Sequence, residues 1–259
     1  MAKTKSVYFC NNCGAESPKW IGRCPVCGEW NTYVEEVVST KSAAGGRGEF
    51  GTMEQSKVRP QRIDDIQITE ESRIDLGNGE LNRVLGGGLV RGSLVLIGGE
   101  PGIGKSTLIL QTVLALKGQK ILYVSGEESA RQLKLRAERI GGNAPDCYIV
   151  CETSLEDIFV HIRNVTPDIV VIDSIQTIAT SAMESSPGSV GQVRECAASL
   201  LKFAKQTNTP VLLVGHINKE GSIAGPKVLE HIVDTVLQFE GDRPVSYTHL
   251  RAHETLRHL

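Results

Sequence analysis

Leu94-Val95-Leu96-Ile97-Gly98-Gly99-Glu100-Pro101-Gly102-Ile103-Gly104-Lys105-Ser106-Thr107 is the stretch that decides the fold. Its first part is an apolar run of strand length. From Gly99 to Ser106 it fits G-x-x-x-x-G-K-[ST], and a helical pattern follows over 107–117. Glycines let a backbone close around phosphate oxygens, free N–H groups at a helix start favour anions, and Lys105 can reach the terminal phosphates. A glycine-rich turn that merely opens a helix is the alternative, and the strand before and helix after weigh against it. Gly99, Glu100, Pro101, Gly102, Ile103, Gly104, Lys105, Ser106 and Thr107 are therefore the candidate ATP-binding residues, with Ser106 expected to ligate Mg²⁺.

Outward from this loop, short β-rich runs at 94–98, 121–125, 148–151, 169–173, 211–215 and 235–239 alternate with helical patterns. Strands that are apolar nearly throughout suit a parallel sheet buried on both faces. Helical spacing links Leu155, Ile158, Phe159 and Ile162, and again Val190, Val193, Ala197, Leu200, Leu201 and Ala204. Such alternation predicts an α/β, doubly wound P-loop NTPase with its ligand at the carboxyl ends of the strands. The basic run Arg131, Lys134, Arg136 and Arg139 reads as the solvated face of a helix that turns Leu133, Ala137 and Ile140 inward.

Three further residues fall at strand ends. Asp173 closes the apolar run 169–173 and, paired with Lys105, is the candidate second anchor, holding Mg²⁺ through water. Hydrolysis needs a group that deprotonates or orients a water, and Glu127 and Glu128 stand just after 121–125. Glu127 is favoured as the base. A helix-opening acid that answers the helix dipole is the expected role of the other. His216 follows 211–215, where an imidazole could sense the terminal phosphate or simply be a satisfied strand-end histidine.

The chain has 259 residues, a formal net charge of −2, 40% hydrophobic and 22% charged residues. That is enough chain for one large core and a small satellite, and the balance is that of a globular protein. Near-neutral charge argues against a wholly basic nucleic-acid binder while leaving local basic patches open. No run approaches the roughly 20 apolar residues of a membrane span. The first residues lack a secretory pattern, so a cytoplasmic location and no membrane partner are expected.

Four of the seven cysteines fall early in the chain, as Cys10-Asn11-Asn12-Cys13-Gly14 and Cys24-Pro25-Val26-Cys27-Gly28. Two C-x-x-C pairs of this kind predict a zinc ribbon in which Cys10, Cys13, Cys24 and Cys27 complete a tetrahedral structural Zn²⁺ site. Disulfides are the alternative, disfavoured by the short loops and the expected reducing compartment. Cys147, Cys151 and Cys196 read as buried small hydrophobes. The expected division is a ribbon at 1–38, a Gly/Ser linker at 39–59, an ATPase domain at 60–243 and a tail at 244–259.

The ribbon, the linker, the phosphate loop, Tyr123-Val124-Ser125-Gly126-Glu127-Glu128-Ser129 and Gly225-Pro226-Lys227-Val228-Leu229-Glu230-His231, in this order, resemble the bacterial RadA (Sms) family over residues 8–243. The resemblance implies a RecA-like, DNA-dependent ATPase of recombinational DNA repair. It implies action on single-stranded or branched DNA, partners of the RecA type and homo-hexameric rings. It makes Lys105, Glu127 and His216 the catalytic set, with His216 at the γ-phosphate sensor position, and Asp173 the second metal anchor. It also implies that the flexible stretch 181–194 and the loop 218–226 face DNA, with Lys219, Lys227 and Arg194 on phosphates. Solvated loop charges are the plainer account of those lysines. A KaiC-like regulatory ATPase acting through protein partners is the competing function.

After Asp242-Arg243 that family continues with Lys-Asn-Arg-Phe-Gly and a domain resembling the Lon protease, neither of which is present here. The expected tail instead holds His249, His253 and His258 without a pattern that would continue a sheet. Metal binding by His249 and His253 at i, i+4 spacing competes with a non-native origin, which is favoured. In the resemblance the missing motif reaches the ATP of the next subunit, so nucleotide binding without efficient turnover is expected.

Overall fold

The computed structural model describes residues 4–39, 62, 73–141, 146–216, 229–241 and 248–254. Six strands form a parallel sheet: β4 (Leu94–Gly99), β5 (Ile121–Ser125), β6 (Cys147–Cys151), β7 (Ile169–Asp173), β8 (Val211–His216) and β9 (Thr235–Gly241). Their order is β9-β4-β8-β7-β5-β6.

Alternate residues of each strand enter opposite cores, as the two-residue period of a strand requires. Leu94, Leu96, Leu122, Val124, Val170, Ile172, Val211 and Leu213 pack on one face, against Leu155, Ile158 and Ile162 of α4 (Leu155–Val165) and Val193, Ala197 and Leu200 of α5 (Val190–Thr207). Val95, Ile97, Ile121, Tyr123, Val171, Leu212 and Val214 pack on the other. There they meet Leu81 of α1 (Gly79–Val84), Ile109, Leu110 and Val113 of α2 (Lys105–Ala115), and Leu133 and Ala137 of α3 (Ala130–Ile140). This is the expected doubly wound arrangement. Among the described residues, no helix is long and apolar enough to cross a membrane.

Serines set the entries of the later helices. Ser129, Ser154 and Ser189 each cap a helix N-terminus with the side-chain oxygen, and Ser129 and Gln132 complete a capping box. The cysteine module is a separate antiparallel sheet of order β2-β1-β3, built from β1 (Thr4–Cys10), β2 (Glu16–Ser17) and β3 (Tyr33–Ser39).

Several expectations need correction. Thr248–Glu254 forms β10, antiparallel to β9 at the edge of the large sheet, so this part of the tail does continue the sheet. Edge pairing runs through main-chain groups, which is why the missing apolar pattern did not forbid it. A strand also rules out the helical i, i+4 relation read for His249 and His253. Cys151 is exposed and Cys147 half-buried, because β6 is the opposite edge; Cys196 is buried as expected. Burial raises the Cys147 thiol to about 11 and the Cys196 thiol to about 12.

Arg136 is half-buried in an ion pair with Glu128 and so leaves the solvated face of α3. The stretch 181–194 is not uniformly loop. Its last residues are the first turn of α5, and buried Gln192 holds the rest by donating to Thr180 O, Met183 O and Ser185 O and accepting from Thr180 N. The linker from residue 40 on, the apolar positions Ile63, Ile66 and Ile68, the loop 218–226 with Lys219, Lys227 and His258 lie outside the described residues.

Candidate functional site

Parallel register brings four strand ends together. Gly99 of β4 stands beside His216 of β8, and Ser125 of β5 beside Asp173 of β7. The phosphate loop joins β4 to α2, whose N-terminus is Gly104 at φ 109°, with Gly102 at φ 77°. Both are left-handed conformations that side chains with a Cβ rarely adopt. The helix start has no side-chain cap, so its first N–H groups are open to an anion.

Lys105 is buried and lies back along the loop, its Nζ donating to Gly99 O at 2.8 Å and Glu100 O at 2.9 Å. Burial pushes its amine below the usual lysine range, against the opposing pull of Asp173 and Glu127. The same Nζ is 3.2 Å from His216 Nδ1, and His216 Nε2 is 2.9 Å from Glu127 Oε1. An ammonium has only donors to offer, so Nδ1 accepts and Nε2 carries the proton that is donated to Glu127. His216 thus links the lysine of the phosphate loop to the glutamate after β5.

Glu127 Oε1 also accepts from the Ser174 hydroxyl. Burial raises the Glu127 carboxyl, but hydrogen bonds from Ser174 and His216, with the charge of Lys105, outweigh it and the net direction is down. Glu127 is therefore ionised and held by two donors. Glu128, pointed instead at Arg136, is taken up by that ion pair. Of the two adjacent acids, only Glu127 is drawn to Lys105 and His216.

Asp173 is buried and accepts from the Tyr123 hydroxyl at 2.6 Å. Burial first, then the charge and hydrogen bond of Asp173, raises the Tyr123 hydroxyl, so it stays a donor and fixes the carboxylate. The Asp173–Ser174 peptide is cis. Ser106 and Thr107 lie in the first turn of α2, half-buried and exposed.

Sequence reasoning missed Tyr123, Ser174 and Gly126. A Cβ on Gly126 would stand 1.9 Å from Thr177 Oγ1 and 2.7 Å from Thr177 Cβ, so only glycine lets the chain before Glu127 pass the turn after β7. The motif holding Tyr123 and Gly126 was visible, but these contacts depend on β5 lying beside β7. Ser174, next to Asp173, gave no signal of its own. Arg194, offered as a phosphate contact, donates from Nη1 to Gly14 O at 2.9 Å and so joins α5 to the cysteine module.

In that module the sulfurs of Cys10, Cys13, Cys24 and Cys27 lie within 4.8 Å of one another. Cys10 to Cys27 is 3.6 Å and Cys13 to Cys24 is 3.5 Å. A tetrahedral ion with sulfurs at about 2.3 Å sets them about 3.8 Å apart, so the four residues fit Zn²⁺. Burial raises the Cys24 thiol, but the Cys27 and Val26 amides, the Tyr33 hydroxyl and Cys13 bring it to about 6, while burial pushes the thiol of its partner Cys13 up.

A phosphate loop on β4, an aspartate ending β7 and a glutamate after β5, on a parallel sheet behind a four-cysteine ribbon, define a RecA-like P-loop NTPase fold. A family model described as an AAA domain matches residues 57–222, and the chain belongs to that family. A second, described as a rubredoxin metal binding domain, matches residues 8–35.

Among curated relatives, the chain is 54% identical to the DNA repair protein RadA of Bacillus subtilis (strain 168), over 97% of this chain and 55% of that protein. It is 51% identical to the RadA of Listeria monocytogenes, over 97% of this chain and 54% of that protein. With the RadA of Pseudomonas aeruginosa it shares 49%, over 97% and 55%. The chain spans about half the length of the curated relatives it matches. Of solved structures, a KaiC-like protein from Pyrococcus horikoshii aligns with a TM-score of 0.54 at 21% identity, over 71% of this chain and 89% of that one. That likeness concerns the fold alone.

Proposed function

We propose that this chain is the ATP-binding part of a DNA-dependent ATPase of recombinational DNA repair, one that processes or stabilises branched DNA and stalled forks by branch migration. The observation that carries the proposal is the contact chain Lys105–His216–Glu127, which ties the phosphate loop to one ionised acid at the strand ends. The DNA part rests on the similarity to proteins named DNA repair protein RadA.

In this proposal the backbone from Gly99 to Thr107 cradles the phosphates of ATP and Lys105 leaves its loop carbonyls for the terminal phosphates. Ser106 and Asp173 would hold Mg²⁺, which when bound would neutralise phosphate charge. Tyr123 keeps Asp173 aimed. Glu127 takes a proton from the attacking water, and His216, on the path from Lys105 to Glu127, senses whether a γ-phosphate is present. Cys10, Cys13, Cys24 and Cys27 hold Zn²⁺ as a structural ion, since four thiolates leave no open position for catalysis. Cytoplasmic location, homo-hexameric rings and partners of the RecA type belong to the same proposal.

The test is ATP hydrolysis with and without single-stranded DNA, in this chain and in a version extended through the relatives' remaining length. DNA stimulation of the extended chain is expected. Hydrolysis indifferent to DNA in the extended chain would refute the DNA-dependent ATPase.

A further inference from the structure

Both tryptophans of the chain, Trp20 and Trp30, lie in the ribbon and stand in solvent, 53% and 67% exposed. Large aromatic rings are costly to leave in water, and two together on one small module mark a binding face. An antiparallel bridge between Arg23 and Trp30, with Asn31 N donating to Gly22 O at 2.7 Å, folds the two tryptophans onto the same spot. The nearest atoms to where a Cβ would stand on Gly22 belong to the two indoles, Trp20 at 3.7 Å and Trp30 at 3.8 Å. Gly22 thus lies close to both rings.

The segment that carries Trp20 is basic, while Glu29 adjoins Trp30. From Ser17 to Gly28 the chain carries Lys19 and Arg23 and no acid, with Glu16 and Glu29 bounding the segment. Lys19 and Arg23 are exposed, and the Arg23 guanidinium lies 5.9 Å from the centre of the Trp30 ring, held by a bond from Nε to Gly28 O at 2.9 Å. Two exposed indoles near Gly22, with the Arg23 guanidinium over the Trp30 ring and exposed Lys19 next to Trp20 in the chain, suit unpaired nucleobases that stack on an indole while the phosphates meet the cations. The Arg194 bond to Gly14 sets the ribbon against the start of α5, just after the loop that Gln192 holds.

We propose that Trp20 and Trp30, with Lys19 and Arg23, form a stacking site for single-stranded nucleic acid on the cysteine ribbon, separate from the sheet that carries the phosphate loop. The proposal rests on the DNA-dependent reading above and names a place where the strand is gripped. A protein partner is the competing occupant, disfavoured because exposed Lys19 and Arg23, in the same segment as Trp20, suit phosphates.

Because these are the only two tryptophans in the sequence, intrinsic emission reads this site alone. Titration of the chain with oligo(dT) is expected to quench that emission, in step with the anisotropy change of a labelled oligo(dT). Trp20→Ala and Trp30→Ala, each with zinc content unchanged, are expected to weaken binding about ten-fold, and the Phe variants to restore most of it. Oligo(dT) bound with flat emission and undiminished affinity in both alanine variants would overturn the stacking site, leave the DNA reading standing and hand the face to a protein partner. No anisotropy change with the parent chain would overturn both.

Discussion

Around the phosphate loop, position comes from strands buried on both faces, with Leu96, Leu213, Val171 and Val214 fully enclosed. Around the cysteines, the buried apolar residues among those described are Val7, Phe9, Cys10, Cys24 and Tyr33, a small core for a fold to rest on. The first site keeps its geometry through packing and lets side chains such as Lys105 wait in hydrogen bonds. The second depends on its ion. Where a site gets its rigidity therefore decides what its removal does, and the two regions should fail separately.

Chelation is the largest effect expected, because a structural zinc supplies about 10–16 kcal/mol that is also folding free energy. Amides of β1 and β3 should lose protection in hydrogen exchange while those of β4 and β8 keep theirs. Loss of protection in both regions would break the separation.

The converse change is Leu213→Ala, which removes a fully buried side chain from the middle of the sheet and should cost about 2–5 kcal/mol. The large sheet and its helices should melt lower while bound zinc stays unchanged. Smaller in stability but larger in activity, Gly126→Ala forces a Cβ onto Thr177 and should cost about 1–3 kcal/mol as overpacking. Displacing Glu127 from Ser174 and His216 should remove hydrolysis while nucleotide binding persists.

The smallest expected effect concerns pH. Glu127 titrates below the usual glutamate value of 4.5 in the folded chain, so its contribution is present above that value and lost as pH falls through the folded one. Thermal melts below pH 4.5 should show a loss that a Glu127→Gln variant lacks. The carboxylate is partly exposed, so solvent screening keeps the effect modest.

Much of this was legible in sequence. The six strands, the phosphate loop and the cysteine pairs show as local signals: apolar runs of strand length, a fixed glycine-lysine spacing, two C-x-x-C units. What stayed hidden depends on which strands become neighbours. Tyr123 reaches Asp173, Ser174 reaches Glu127 and Arg194 reaches Gly14 across 50, 47 and 180 residues of chain, contacts that no local period encodes. Glu127 was favoured over Glu128 from sequence, but their different partners, His216 for the first and Arg136 for the second, were of this hidden kind. Edge positions misled for a related reason. Cys151 and β10 lie on sheet edges, where burial and main-chain pairing are set by strand order.

The central claim is that Glu127, held through His216 to Lys105, is the base of an ATP-hydrolysing site. Single-turnover hydrolysis and ATP affinity measured together in a Glu127→Gln variant of the extended chain test it most directly. Hydrolysis should fall about 10²–10⁴-fold with affinity for ATP kept. Hydrolysis at the parent rate in that variant would contradict the account.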